Sequence, residues 1–345
     1  MGCLCWGYVK GMDLTMDWER LWWSDTHGPR SFIAALTGSI VSGEPAHIVC
    51  TMGATLRENM REVARSMIDS IVTVRYVDAA WITGEGIGLY LIDKYTNSVK
   101  YRPNSEHWSD YLKHKHVLES TLLWIHNIKP ELIGSLAEDC HRLGSICPFV
   151  LETDSESIRF PGIKRLDARN YFTEYDFLSL ASRIAAERAA LSDSWRRYLA
   201  DLALELYPGD AERIVDFAEH FDVRRPPTDY DAAITNKPVW KAQLLNVFHA
   251  IEEERNALIS RYEKDIASCL PEIQFSYEIY DPYDCELGLL CSLTSARRLD
   301  DGKKRLIMQQ NDYGYLFFLH HARNQLAHNK CLAPEEMERI LGRRE

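Results

Sequence analysis

The 345-residue chain lacks any apolar run near the eighteen or so residues that a membrane-crossing helix needs, which argues against a helical membrane protein. It also lacks an excess of positive charge. Forty Lys and Arg stand against 51 Asp and Glu, a net charge of −11, which excludes a protein that coats duplex DNA by broad electrostatic attraction. Its nine cysteines are scattered, with no Cys-x-x-Cys pair and no alternation with His at zinc spacing. An odd, scattered set with no signal peptide ahead of it reads as reduced thiols in a cytoplasm. There is no Gly-x4-Gly-Lys-[Ser/Thr] phosphate loop, no Gly-x-Gly-x-x-Gly string, no Ser-His-Asp triad and no reactive-cysteine signature. These absences remove ATP, metals and organic cofactors from the expected ligands.

What is present is an ordinary soluble balance, 46% hydrophobic and 26% charged, in a chain long enough for two cores. The start, Met1-Gly2-Cys3-Leu4-Cys5-Trp6, departs from the myristoylation pattern at Trp6, so residues 1–16 read as an extension. From 17 to 185 short apolar runs alternate with helical stretches. Strands are expected over 47–51, 71–76, 120–126, 147–152 and 163–167. Helices are expected over 31–41, 56–71, 88–95, 106–115, 130–143 and 174–190. Such alternation predicts an α/β layer with a mostly parallel sheet. Gly28-Pro29 reads as a turn before the first of those helices, and Gly84-Glu85-Gly86-Ile87-Gly88 as a flexible turn.

Residues 186–236 read as a helical connector, and 237–345 as an all-α bundle opened by a long helix over 238–268. Arg255 falls in the apolar stripe of that helix, where an acid such as Glu286 would be its partner. His114 and His116 fall on a polar helix without companion ligands, so a solvated face is expected there. Lys303, Lys304 and Arg305 form the dense basic cluster nearest the chain's most pointed feature, a helix over 315–329 whose last turns read Arg323-Asn324-x-x-x-His328. Tyr315, Phe318, Leu319, Ala322 and Leu326 recur at helical spacing as its core side, with His320, Asn324 and His328 roughly opposite. Histidine titrates near neutral pH, arginine offers a planar cationic fork, and asparagine can hold either in place. These residue types suit metal-independent phosphodiester cleavage. Yet positions five apart on a helix diverge by about 140°. Either the helix ends at His328, with Asn329 suited to a left-handed position, or two chains pool their residues.

The Arg323-Asn324-x-x-x-His328 string, with a short helix to follow over 332–341, resembles the signature of the HEPN superfamily across roughly 237–343. The resemblance implies a helical domain, endoribonuclease chemistry at Arg323, Asn324 and His328, and a composite site in a homodimer. His321 and His320 are the supporting candidates. It also implies an RNA substrate and a protein partner in a bacterial phage-defence or toxin-type conflict system. The alternative that it implies is a non-catalytic adaptor that assembles with other defence proteins. The alternating region resembles a P-loop NTPase of the STAND or AAA type in reduced form. Gly28-Pro29-Arg30-Ser31 lacks the phosphate-loop lysine, and the run over 122–127 ends without the acids that would hold magnesium. That resemblance implies an inactive scaffold, or a sensor that keeps the nuclease restrained.

Overall fold

A computed structural model describes residues 17–82, 86–272 and 279–342. The expected extension 1–16 and Gly84-Glu85 lie outside the described residues, and the rest of that expected flexible turn, Gly86-Ile87-Gly88, is corrected to the first turn of a helix, with Ile87 and Gly88 buried. The chain divides into two compact units between Asp176 and Phe177.

The first unit begins with helices α1 (Trp18–Asp25) and α2 (His27–Val41), then β1 (Ala46–Val49), α3 (Ala54–Ile68) and β2 (Thr73–Asp78). Helices α4 (Gly86–Tyr95) and α5 (Trp108–His114) precede β3 (Thr121–His126). Next come α6 (Ile133–Gly144), β4 (Phe149–Thr153), β5 (Lys164–Asp167) and the start of α7 (Glu174–Ala186). All strand pairs are parallel, in the order β2-β3-β4-β1-β5. The expected parallel α/β layer is therefore present.

Leu123, Ile125, Phe149 and Leu151 on one face pack with residues of α4, α5 and α6. Trp124 and Glu152 alternate with them, and Glu152 receives Arg61 of α3. A sheet covered on both faces explains the continuous apolar run over 121–126.

The Gly28-Pro29 turn is corrected to the first turn of α2, where proline's fixed φ is tolerated. Gly28 is required by contact: its N–H donates to Asp176 Oδ1 at 2.8 Å, and an added Cβ would come within 2.5 Å of Oδ2.

The second unit is mostly helical. It contains α8 (Asp193–Leu206), α9 (Ala211–His220), the long α10 (Asn236–Cys269), α11 (Leu287–Leu293), α12 (Arg297–Asp300), α13 (Gln310–Ala327) and α14 (Pro334–Leu341). Helix α10 packs against α8, α11, α13 and α14. It kinks at Tyr262, whose hydroxyl donates to Asp312 at the start of α13 at 2.7 Å.

Candidate functional site

Helix α13 buries Tyr315, Leu316, Leu319, Ala322 and Leu326. Phe318, expected in that core, is half-buried beneath the Arg339 guanidinium 4.2 Å from its ring, and Leu316 takes the buried position. The helix ends where the sequence offered an ending. Asn329 adopts φ +57°, and Asn329 N and Lys330 N donate back to the carbonyls of Leu326 and Gln325 at 3.1 and 2.9 Å. This paired left-handed closure satisfies carbonyls that the helix end would otherwise leave open. His328 is thereby the last residue of the turn, with an exposed side chain. Two contacts from α10 hold the closure: Trp240 Nε1 donates to Leu326 O at 2.7 Å, and the buried Gln243 amide bonds both backbone groups of Leu332.

His320 and Arg323 line one cavity of about 320 Å³. Phe248, Glu252 and Arg255 of α10 form another wall, and Tyr283, Asp284 and Glu286 with the start of α11 form a third. Beside it the Asn324 amide nitrogen lies 3.1 Å from His320 Nε2, at hydrogen-bond distance. Gly288 at the start of α11 faces that imidazole, and a Cβ there would meet His320 Nε2 at an ordinary contact distance of 3.4 Å. Among the described residues Arg323 has no ion-pair partner.

Arg255 differs from expectation. Its Nε binds Glu252 Oε2 at 2.9 Å and its Nη1 binds the carbonyls of Tyr283 and Cys285 at 3.0 and 2.8 Å, so Glu286 is not its partner. His321 and His328 are exposed and outside this cavity. The arrangement thus gathers Arg323, His320 and Asn324 and leaves His328 at the helix tip. No family model matches the chain, and no curated protein matches it. Glu252, Arg255, Phe248 and Tyr283 were not read as site residues from sequence; Arg255 within an apolar stripe was the available signal.

Among the described residues no three His, Cys, Asp or Glu side chains converge as a metal would require. His114 and His116 instead pair with Glu106 and Glu119 on an exposed surface. In the first unit, Glu152 accepts from Arg61 Nη1 at 2.8 Å and Trp124 Nε1 at 2.8 Å, a buried cluster that sequence reading passed over. It lies near the β1–α3 turn, at the carboxyl end of the sheet where doubly wound folds place ligands. That turn, residues 50–53, carries no lysine, and Arg57 just beyond it pairs with Asp154 at 3.4 Å. No described helix is long and apolar enough to cross a membrane.

Proposed function

We propose that the protein is a cytoplasmic, metal-independent endoribonuclease whose composite site forms in a homodimer. The observation that carries this reading is Arg323, an arginine without a carboxylate partner among the described residues, in a polar cavity beside His320 on the helix that ends at an exposed histidine. In the reaction, an imidazole takes the proton of a ribose 2′-hydroxyl as its oxygen attacks the adjacent phosphorus. The bond from phosphorus to the 5′ oxygen breaks, a protonated imidazole returns a proton to that oxygen, and a 2′,3′-cyclic phosphate remains. In each half-site the His328 of one copy supplies both transfers, first as base and then as acid. Arg323 meets the charge that develops on the phosphate, and Asn324 with His320 keeps its side of the cavity in place. The first unit is assigned a docking or restraining role for a protein partner in a conflict system, since its β1–α3 turn offers no lysine to a nucleotide phosphate.

Purified protein is expected to cut single-stranded RNA in EDTA and leave cyclic phosphate ends. Arg323→Ala or His328→Ala should lower the rate at least about a hundredfold, the usual scale of an acid–base or charge-stabilising group, with unchanged thermal unfolding. Retained cleavage in both variants would overturn the assignment. The second reading, a non-catalytic adaptor, is favoured by the carboxylates of Asp284 and Glu286 in the same cavity, which repel phosphate. Absence of cleavage by the wild-type chain would select it.

A further inference from the structure

The composition of the α10–α11–α13 cavity is unlike that of a simple phosphate cradle. Its carboxylates are Glu252, Asp284 and Glu286, against the guanidiniums of Arg255 and Arg323. Glu252 is taken up by Arg255, which among the described residues of the cavity leaves the exposed acids Asp284 and Glu286 facing Arg323. That balance rejects a bare phosphate or triphosphate but suits a neutral group rich in N–H donors. Glu286 occupies the position before α11 without capping it, so its acceptor-only carboxylate is left for a ligand. Phe248 and Tyr283 offer aromatic faces, and the Arg255 guanidinium, held flat by Glu252 and two carbonyls, offers a further stacking plane.

We propose that this cavity takes one guanine base splayed out of single-stranded RNA, so that cleavage falls beside guanosine. Guanine presents two adjacent donors, N1–H and N2–H, that match both oxygens of one carboxylate. Adenine and cytosine set a ring-nitrogen lone pair beside their amino group, and uracil flanks its N–H with two carbonyls. Each would face Glu286 with an acceptor. Arg323, in the same cavity, meets the neighbouring phosphate, which is why an RNA residue fits better than a free nucleotide. The inference rests on the endoribonuclease reading for its substrate but not for its base preference.

The test is fluorescence anisotropy with the full chain and short labelled oligouridylates carrying one central base, every nucleotide made 2′-deoxy so that cleavage is blocked. Central guanine should bind about tenfold or more tightly than central adenine, cytosine or uracil, the scale of one bidentate base contact. Glu286→Gln should erase the preference without moving the unfolding midpoint. Equal binding of the four, no binding of any, or tighter binding of free GTP than of the guanine oligonucleotide would overturn the proposal. A guanine preference with no cleavage of the matching ribo-oligonucleotide would sink the nuclease and leave the pocket. Cleavage with no preference would do the reverse.

Discussion

Glu152 shows how much one side chain can hold. It is 1% exposed near the carboxyl end of the central strand β4, yet it satisfies Arg61 from α3 and the indole of Trp124 from β3. Removing one partner of a buried pair strands the other charge, so Glu152→Ala is expected to cost about 3–5 kcal/mol in denaturant unfolding. Glu152→Gln, which retains an acceptor for the indole, should cost less. His47, on β1, is governed by protonation. Burial chiefly, then the nearby Arg165, hold its imidazole down to about 4, while Asp167 opposes them. Its Nε2 lies 2.9 Å from Thr153 Oγ1. Between the ordinary value of 6.5 and about 4 the unfolded chain binds a proton that the folded one refuses. Stability should therefore be highest above that window and fall as the pH drops through it. A series of melting curves from pH 7 to 4 checks this, and His47→Gln should flatten the His47 contribution to the slope.

At the scale of elements, the closure of α13 decides where His328 points. Asn329 at φ +57° is in a conformation that β-branched residues resist, so Asn329→Val should lower stability by about 1–2 kcal/mol while Asn329→Gly is nearly neutral. Circular dichroism melts of the two variants separate these outcomes. The same element shows what sequence could reveal. Its spacing exposed the conflict between Arg323 and His328, and Asn329 marked the ending, because helix periodicity and left-handed preference are local properties. The strands of the sheet were readable for a related reason: burial on both faces leaves continuous apolar runs such as 121–126. The Gly28-Pro29 pair looks like a turn in the sequence because the group whose contact demands a glycine there, Asp176, stands 148 positions downstream. The walls of the cavity were hidden likewise. Glu252 and Arg255 come from α10 and Tyr283 and Glu286 from the loop before α11, and only folding brings them to His320. Arg255 stands out in its apolar stripe, but sequence does not tell Glu252 from Glu286 as its acid, and carbonyl partners leave no trace in side-chain chemistry.

For the whole molecule, the charge of −11 means that the proposed RNA substrate would have to be drawn by a confined site and not by the surface at large. A second copy would help to supply one. Phe317, His321, Asn324 and His328 fall within about 60° of each other around α13, and Phe317 is 40% exposed. Arg323 lies about 140° from His328, turned toward the cavity. If two copies meet along the Phe317–His328 face, each histidine can approach the arginine of the other. Mixing Arg323→Ala chains with His328→Ala chains then yields heterodimers in which one half-site keeps an intact arginine and histidine, drawn from different copies. Cleavage should be absent in either variant alone and return in the mixture, approaching a quarter of the wild-type rate when half of randomly paired dimers carry one working site of two. Phe317→Glu should weaken the dimer, seen as a shift in sedimentation velocity, and reduce cleavage with it. A protein that sediments as a monomer while cutting RNA, or a mixture as silent as its parts, would remove the shared site and confine the chemistry to Arg323, Asn324 and His320 of one chain.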